Sequence, residues 1–229
     1  MDSSVILIPG ANRGIGFETA RQLAAQGHDV ILTARSLAKA EQAAAGMEGA
    51  VVPLSMDVGN AASVEAAADL VRNRFGRLDA LINNAAIDYD TDQSVESADL
   101  DRVRRILDTN VLGVWRVTQA MLPMLRASRH PRVVNVSSVS GQLSGWTDPA
   151  PGYAVSKSAL NALTVQMAAE LNRHGILVNA ICPGWVATDM GGSGGGPVAD
   201  GARSVIWGVS LPDDGPTGGF FRHGKRLDW

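Results

Sequence analysis

The stretch IPGANRGIG, residues 8–16, decides the fold. The apolar run VILI leads into it and a helical pattern follows, with Gly10, Gly14 and Gly16 between them in the spacing G-x-x-x-G-x-G. Glycines at such a junction let the chain turn tightly and bring backbone N–H groups up to a pyrophosphate at a helix N-terminus. Strand, glycine turn and helix together read as the opening of a dinucleotide-binding unit, although three glycines can also be a bare connection. Pro9 stands directly before the first glycine. It lacks an N–H and has a fixed φ, which the last residue of a strand tolerates and a central strand position does not.

Working outward, apolar runs at residues 5–8, 30–33, 51–56, 80–82, 133–136 and 177–181 read as strands. They lack polar alternation, as expected where a parallel sheet is covered on both faces. Helical patterns lie between them. Val64, Ala67, Val71 and Phe75 mark one helix, and Leu160, Leu163, Met167 and Leu171 mark another. The expectation is an α/β fold, a Rossmann-type doubly wound parallel sheet of about seven strands with helices on both faces. Residues 1–229 read as a single domain. The glycine-rich GGSGGGP at 191–197 reads as a mobile loop within a substrate lid over 186–210. A third apolar stripe, Leu100, Val103, Leu107, Val114, Val117, Met121 and Leu125, contains Asn110. A buried carboxamide must find hydrogen-bond partners, which backbone groups alone can supply.

The second strand ends in LTARS, with Arg35 where a site for a free ribose hydroxyl pair would carry an acid. A cation there, with Arg13 in the glycine turn, favours a 2′-phosphate and hence NADPH/NADP+ over the unphosphorylated dinucleotide. In GYAVSKSAL, Tyr153 and Lys157 are four residues apart on one helix face. An ammonium near a phenol favours phenolate and so lowers the tyrosine pKa. Upstream, VVNVSS places Ser137 and Ser138 at the C-terminal end of a strand, the edge at which open α/β sheets bind ligands.

The bulk composition narrows the class. The net charge is −3 and the pI about 5.8, which gives no basic footprint for nucleic acid. The one cysteine, Cys182, cannot form an internal disulfide. The apolar N-terminal run is too short for a signal peptide or a membrane span. A cytoplasmic protein with no membrane partner and no metal site is expected.

GANRGIG, LTARS, MDV at 56–58, NNAA at 83–86, Asn110, VNVSS, YAVSK, CPGWVATDM at 182–190 and DDGPTGGFF near the C-terminus occur in this order along the whole chain. Together they resemble the short-chain dehydrogenase/reductase family, and more narrowly its NADPH-dependent carbonyl-reductase-like members. The resemblance implies a catalytic set of Asn110, Ser138, Tyr153 and Lys157. Ser138 would orient a carbonyl and Tyr153 would donate the proton. Lys157 would lower the tyrosine pKa and hold the nicotinamide ribose, and Asn110 would hold a water that relays protons to Lys157.

The resemblance also implies cofactor contacts from Gly10, Asn12, Arg13, Gly14, Ile15, Gly16, Arg35, Asp57, Val58, Asn84, Pro183, Gly184, Val186 and Thr188, besides Tyr153 and Lys157. Trp146, Trp185 and Met190 would line a pocket for a hydrophobic ketone or aldehyde. The implied activity is reversible carbonyl reduction, with an NADPH-binding sensor lacking catalysis as the alternative. A homodimer or homotetramer is expected, with a monomer open. Three positions depart from the family pattern: Pro9 where threonine is usual, Ala86 where glycine is usual, and two extra residues between Ser138 and Tyr153, in GWTDPAPG.

Overall fold

The structure is a computed structural model that describes residues 3–144 and 148–229. In chain order the elements are β1 (Val5–Ile8), α1 (Gly14–Ala25), β2 (Asp29–Ala34), α2 (Leu37–Ala44), β3 (Val51–Ser55), α3 (Ala61–Phe75) and β4 (Ala80–Asn83). They continue as α4 (Leu100–Leu107), a π-helical turn (Asp108–Gly113), α5 (Val114–Arg126), β5 (Arg132–Val136), α6 (Pro151–Leu171), β6 (Leu177–Ile181), α7 (Val198–Val209), β7 (Phe220–Arg222) and β8 (Lys225–Leu227). Each strand expected from the apolar runs is present, with every end within one residue of the expected one.

The strands form one sheet in the order β3-β2-β1-β4-β5-β6-β7-β8. All neighbours pair in parallel except β7 and β8. Chain direction across the sheet reverses between β1 and β4, which opens a crevice at their C-terminal ends. Alternate residues of each strand feed two apolar layers. Val5 and Leu7 pack with side chains of α3, α5 and α6 on one face, and Ile6 and Ile8 with those of α1 and α7 on the other. Asn83 on β4 and Asn135 on β5 lie opposite each other in register. Asn83 Nδ2 donates to Thr118 Oγ1 (3.1 Å) and Asn135 Oδ1 (2.9 Å), and Asn135 Nδ2 donates to Thr164 Oγ1 (2.9 Å). Buried amides thus fasten the middle of the sheet to α5 and α6.

The expected doubly wound sheet of about seven strands has eight. His223 (φ 48°) and Gly224 (φ +75°) make a hairpin turn that folds the C-terminal residues back as an antiparallel edge. Leu100 does not belong to the buried stripe: it is 64% exposed, and Ile106, Asn110, Val114 and Val117 carry the buried face. The π-helical turn inserts extra backbone per turn, so a face extrapolated upstream at 3.6-residue spacing lands on the wrong residue. The range 186–210, expected as a lid, contains a helix. Residues 198–209 form α7, whose Val205 and Ile206 are core.

The remaining loop, 186–196, is folded onto itself. Ala187 N donates to Gly196 O and Gly192 N to Thr188 O, both at 2.9 Å. Gly195 is required there because a Cβ would lie 2.3 Å from the Val186 carbonyl carbon. Gly191 and Gly195 thus serve close packing of the loop against the Val186 backbone.

Candidate active site

The site forms where β1, β4, β5 and β6 end. Pro9 follows the last residue of β1 and lies outside the ladder, so its missing N–H costs no strand pairing. Its carbonyl and that of Gly10 accept from Asn84 Nδ2 at 3.2 and 3.1 Å, which ties the glycine turn to the end of β4. Gly10 has φ +69°, and a Cβ on it would sit 3.0 Å from Ala85 Cα. Asn12 is half-buried in the turn, and Ile15 packs against the apolar layer under α1.

Helix α1 begins at Gly14 with no side-chain cap and no acidic residue in its first turn. Its first N–H groups therefore remain available to an anion, which fits a dinucleotide pyrophosphate. Ala86 carries no positive φ, so its methyl group meets no backbone penalty.

Arg35 is exposed at the end of β2. Arg13 does not converge with it here: its guanidinium pairs with Asp189 at 2.6 Å, joining the glycine turn to the 186–196 loop. Asp57 Oδ1 accepts from Gly59 N (3.0 Å), while Val58 is buried and its carbonyl accepts from Arg116. Pro183, Gly184 (φ +87°) and buried Val186 carry the chain from β6 into the loop, where Thr188 Oγ1 accepts from Gly191 N at 3.1 Å.

Ser138 follows β5 and caps the short 3-10 turn Val139–Gly141. Its Oγ donates to Ser140 Oγ at 3.0 Å. Tyr153 and Lys157 lie on the first two turns of α6, with the Lys157 ammonium 5.3 Å from the Tyr153 ring centroid. Lys157 Nζ donates to Val136 O (2.8 Å), so the lysine reaches the end of β5. Burial lowers the Lys157 pKa to about 8. Burial likewise pushes the Tyr153 phenol far above the ordinary tyrosine range. A donor at Ser138 opposes that rise, whereas Cys182, Asp148 and Tyr89 add to it.

Asn110 sits in the π-helical turn, fully buried. Its Oδ1 accepts from Ile87 N (2.9 Å), and its Nδ2 donates to Ile87 O (3.2 Å) and Ser156 Oγ (3.1 Å). Both N–H groups and one lone pair are thus spent on protein, joining the segment after β4 to α6. Trp185 is 69% exposed; its indole N–H donates to Gly191 O (2.7 Å) and its ring covers Gly194, so it braces the loop. Met190 is exposed on the same loop, and Trp146 lies outside the described residues.

The structure adds residues that the sequence reading does not name. Asp90, fully buried, accepts from Gly152 N (2.8 Å) and Tyr153 N (2.9 Å), capping α6 from a segment 62 residues away. Tyr89 meets Tyr153 edge-to-face, with centroids 5.1 Å apart and planes at 87°. Asp88, beside them, takes φ 63° and is held by Arg102 through two hydrogen bonds of 2.6 and 2.7 Å. The sequence-level signal for these residues is the acid-rich IDYDTD at 87–92, which no periodicity singles out.

The sequence profile of the family described as short chain dehydrogenase matches residues 4–195. The chain belongs to the short-chain dehydrogenase family. A short-chain dehydrogenase of Penicillium roqueforti is 38% identical over 220 residues, covering 88% of this chain and 86% of its own. The (-)-isopiperitenone reductase of Mentha piperita is 30% identical, covering 96% of each. An NADPH-bound carbonyl reductase from chicken fatty liver superposes with a TM-score of 0.87 at 28% identity, over 100% of both chains. This short-chain dehydrogenase is therefore an oxidoreductase that uses a nicotinamide cofactor and a small-molecule substrate. Among its described residues, no helix is long and apolar enough to cross a membrane.

Proposed function

We propose that this short-chain dehydrogenase reduces hydrophobic ketones or aldehydes with NADPH and runs the reverse alcohol oxidation with NADP+. One observation carries the reading: buried Lys157 and half-buried Ser138 and Tyr153 lie together at the strand ends. When bound, the nicotinamide supplies the hydride for the carbonyl carbon.

The chain's own residues polarise the carbonyl and supply the proton. Ser138 turns its O–H from Ser140 onto the carbonyl oxygen and orients it. Tyr153 gives that oxygen its phenolic proton. Lys157, held at Val136, stabilises the phenolate left behind and contacts the nicotinamide ribose. Asn110 fixes the Ile87 segment against α6, and its remaining lone pair or main-chain carbonyl holds the relay water.

Asn12, Ile15 and the three turn glycines receive the pyrophosphate, and Asp57 and Val58 receive the adenine. Asn84, Pro183, Gly184, Val186 and Thr188 place the nicotinamide. Preference for the phosphorylated dinucleotide rests on exposed Arg35 and the lack of an acid at the end of β2. The NADPH carried by the chicken carbonyl reductase supports it. Trp185 and Met190 border the substrate mouth, with a closing loop at 186–196. The protein works as a cytoplasmic homodimer or homotetramer.

The test is to titrate purified protein with NADPH and with NADH, then offer a panel of aromatic, alicyclic and aliphatic ketones. Tight NADPH binding, much weaker NADH binding and consumption of NADPH with at least one ketone are expected. Tight NADPH binding with no turnover of any ketone would instead favour a regulatory NADPH-binding protein.

A further inference from the structure

Between β3 and α3 the chain passes through the peptide unit that joins Val58 to Gly59. At one end of that unit, Gly59 N donates to Asp57 Oδ1 at 3.0 Å. A peptide unit is planar and trans, so its other end, the Val58 carbonyl, points the opposite way. Arg116 of α5 donates its Nη1 to this carbonyl, which among the described residues has no other donor. The guanidinium is itself aimed, because Asp108 Oδ1 in the π-helical turn accepts from Nη2 at 3.2 Å. The Arg116 side chain is only 26% exposed, so it does not swing freely in solvent.

The turn comes close enough for this grip because of Gly113, where a Cβ would lie 2.9 Å from Val58 Cγ2. The same turn carries Asn110, which is bonded to Ile87 and Ser156. The segment after β3 and the buried carboxamide therefore share one support.

Fixing one end of a rigid peptide unit fixes the other. Arg116 sets the Val58 carbonyl, the unit sets the Gly59 N–H, and that N–H sets the Asp57 carboxylate. The Asp57 backbone is held as well, since its N–H donates to Ser63 Oγ at 3.0 Å. With Oδ1 engaged, Asp57 Oδ2 has no partner among the described residues and remains to accept from the exocyclic amine of a purine.

We propose that Arg116 is a positioning residue for the base of the dinucleotide: by holding the Val58 carbonyl it aims Asp57 at the purine amine. The proposal rests on Asp57 and Val58 receiving the adenine.

The test compares NADPH with its hypoxanthine analogue, in which a carbonyl replaces the amine. Calorimetry without substrate reads both dissociation constants. The parent should bind NADPH tighter by about tenfold or more, as expected for a hydrogen bond to a carboxylate. Arg116→Met keeps the reach of the side chain and removes its donors. NADPH should then weaken while the analogue changes little, and the ratio should fall toward one. Arg116→Lys, with one ammonium for two acceptors, should keep part of the ratio, and it carries the test if the methionine variant does not fold.

An unchanged ratio in the variants, even with both affinities lowered, would make Arg116 a support of the fold and overturn the proposal. A parent with no preference for adenine would overturn it too, because Asp57 would then not read the amine. A parent that prefers NADH corrects the cofactor reading alone, and the NADH pair then gives the ratio. Ketone turnover is measured separately. Dinucleotide binding without turnover of any ketone counts against the reductase reading and leaves the ratio standing.

Discussion

Lys157 shows what burial does to one side chain. Its pKa is lowered from 10.5 to about 8 because the ammonium leaves water for a site whose hydrogen-bond partner is a single carbonyl. The sign for stability follows from proton counts. Between about pH 8 and 10.5 the unfolded chain holds a lysine proton that the folded protein has released, so stability rises with pH in that window. Tyr153 works the other way only above its ordinary value of 10.0, where the unfolded phenol ionises first. Denaturant midpoints of the cofactor-free protein should therefore climb from pH 8 to 10, by roughly 1.4 kcal/mol per pH unit at most. Lys157→Met should flatten that climb; the same slope in both proteins would show that Lys157 keeps its ordinary pKa.

At the scale of elements, α6 is the part on which the chemistry depends, and its first turn is set from outside the helix. Asp90 accepts from Gly152 N and Tyr153 N, and a Cβ on Gly152 would lie 2.7 Å from Asp90 Oδ2, so helix start and carboxylate are fitted to each other. Asp90→Ala leaves the Gly152 and Tyr153 N–H groups without their acceptor, at a cost of about 1–3 kcal/mol for each that water does not reach. Thermal unfolding should shift down accordingly, ketone turnover should fall more than NADPH affinity, and Asp90→Asn, which keeps one acceptor, should recover part of both. Equal losses of affinity and turnover would mean that the cap supports the whole fold rather than the placement of Tyr153.

The sequence announces Tyr153 and Lys157 because their four-residue spacing is local. It does not announce Asp90, whose partners lie 62 and 63 residues on. Leu100 misleads for a related reason: a π-helical turn breaks the period from which its face was read.

Across the whole molecule, the strand order follows from alternating apolar runs and helical patterns, and the crevice follows from where the chain reverses between β1 and β4. The antiparallel β8 escaped that reading because three-residue strands joined by His223 and Gly224 carry too little pattern to register. Pro9 becomes intelligible only with the sheet in view, since it lies just beyond the ladder. All of these features converge on one phenol beside a dinucleotide crevice.

Tyr153→Phe removes only that hydroxyl, so the most direct measurement is NADPH affinity together with ketone turnover in this variant and the parent. The account predicts nearly unchanged NADPH binding with turnover reduced by about a hundredfold or more. Turnover at the parent's rate would contradict it, because the proton would then come from elsewhere.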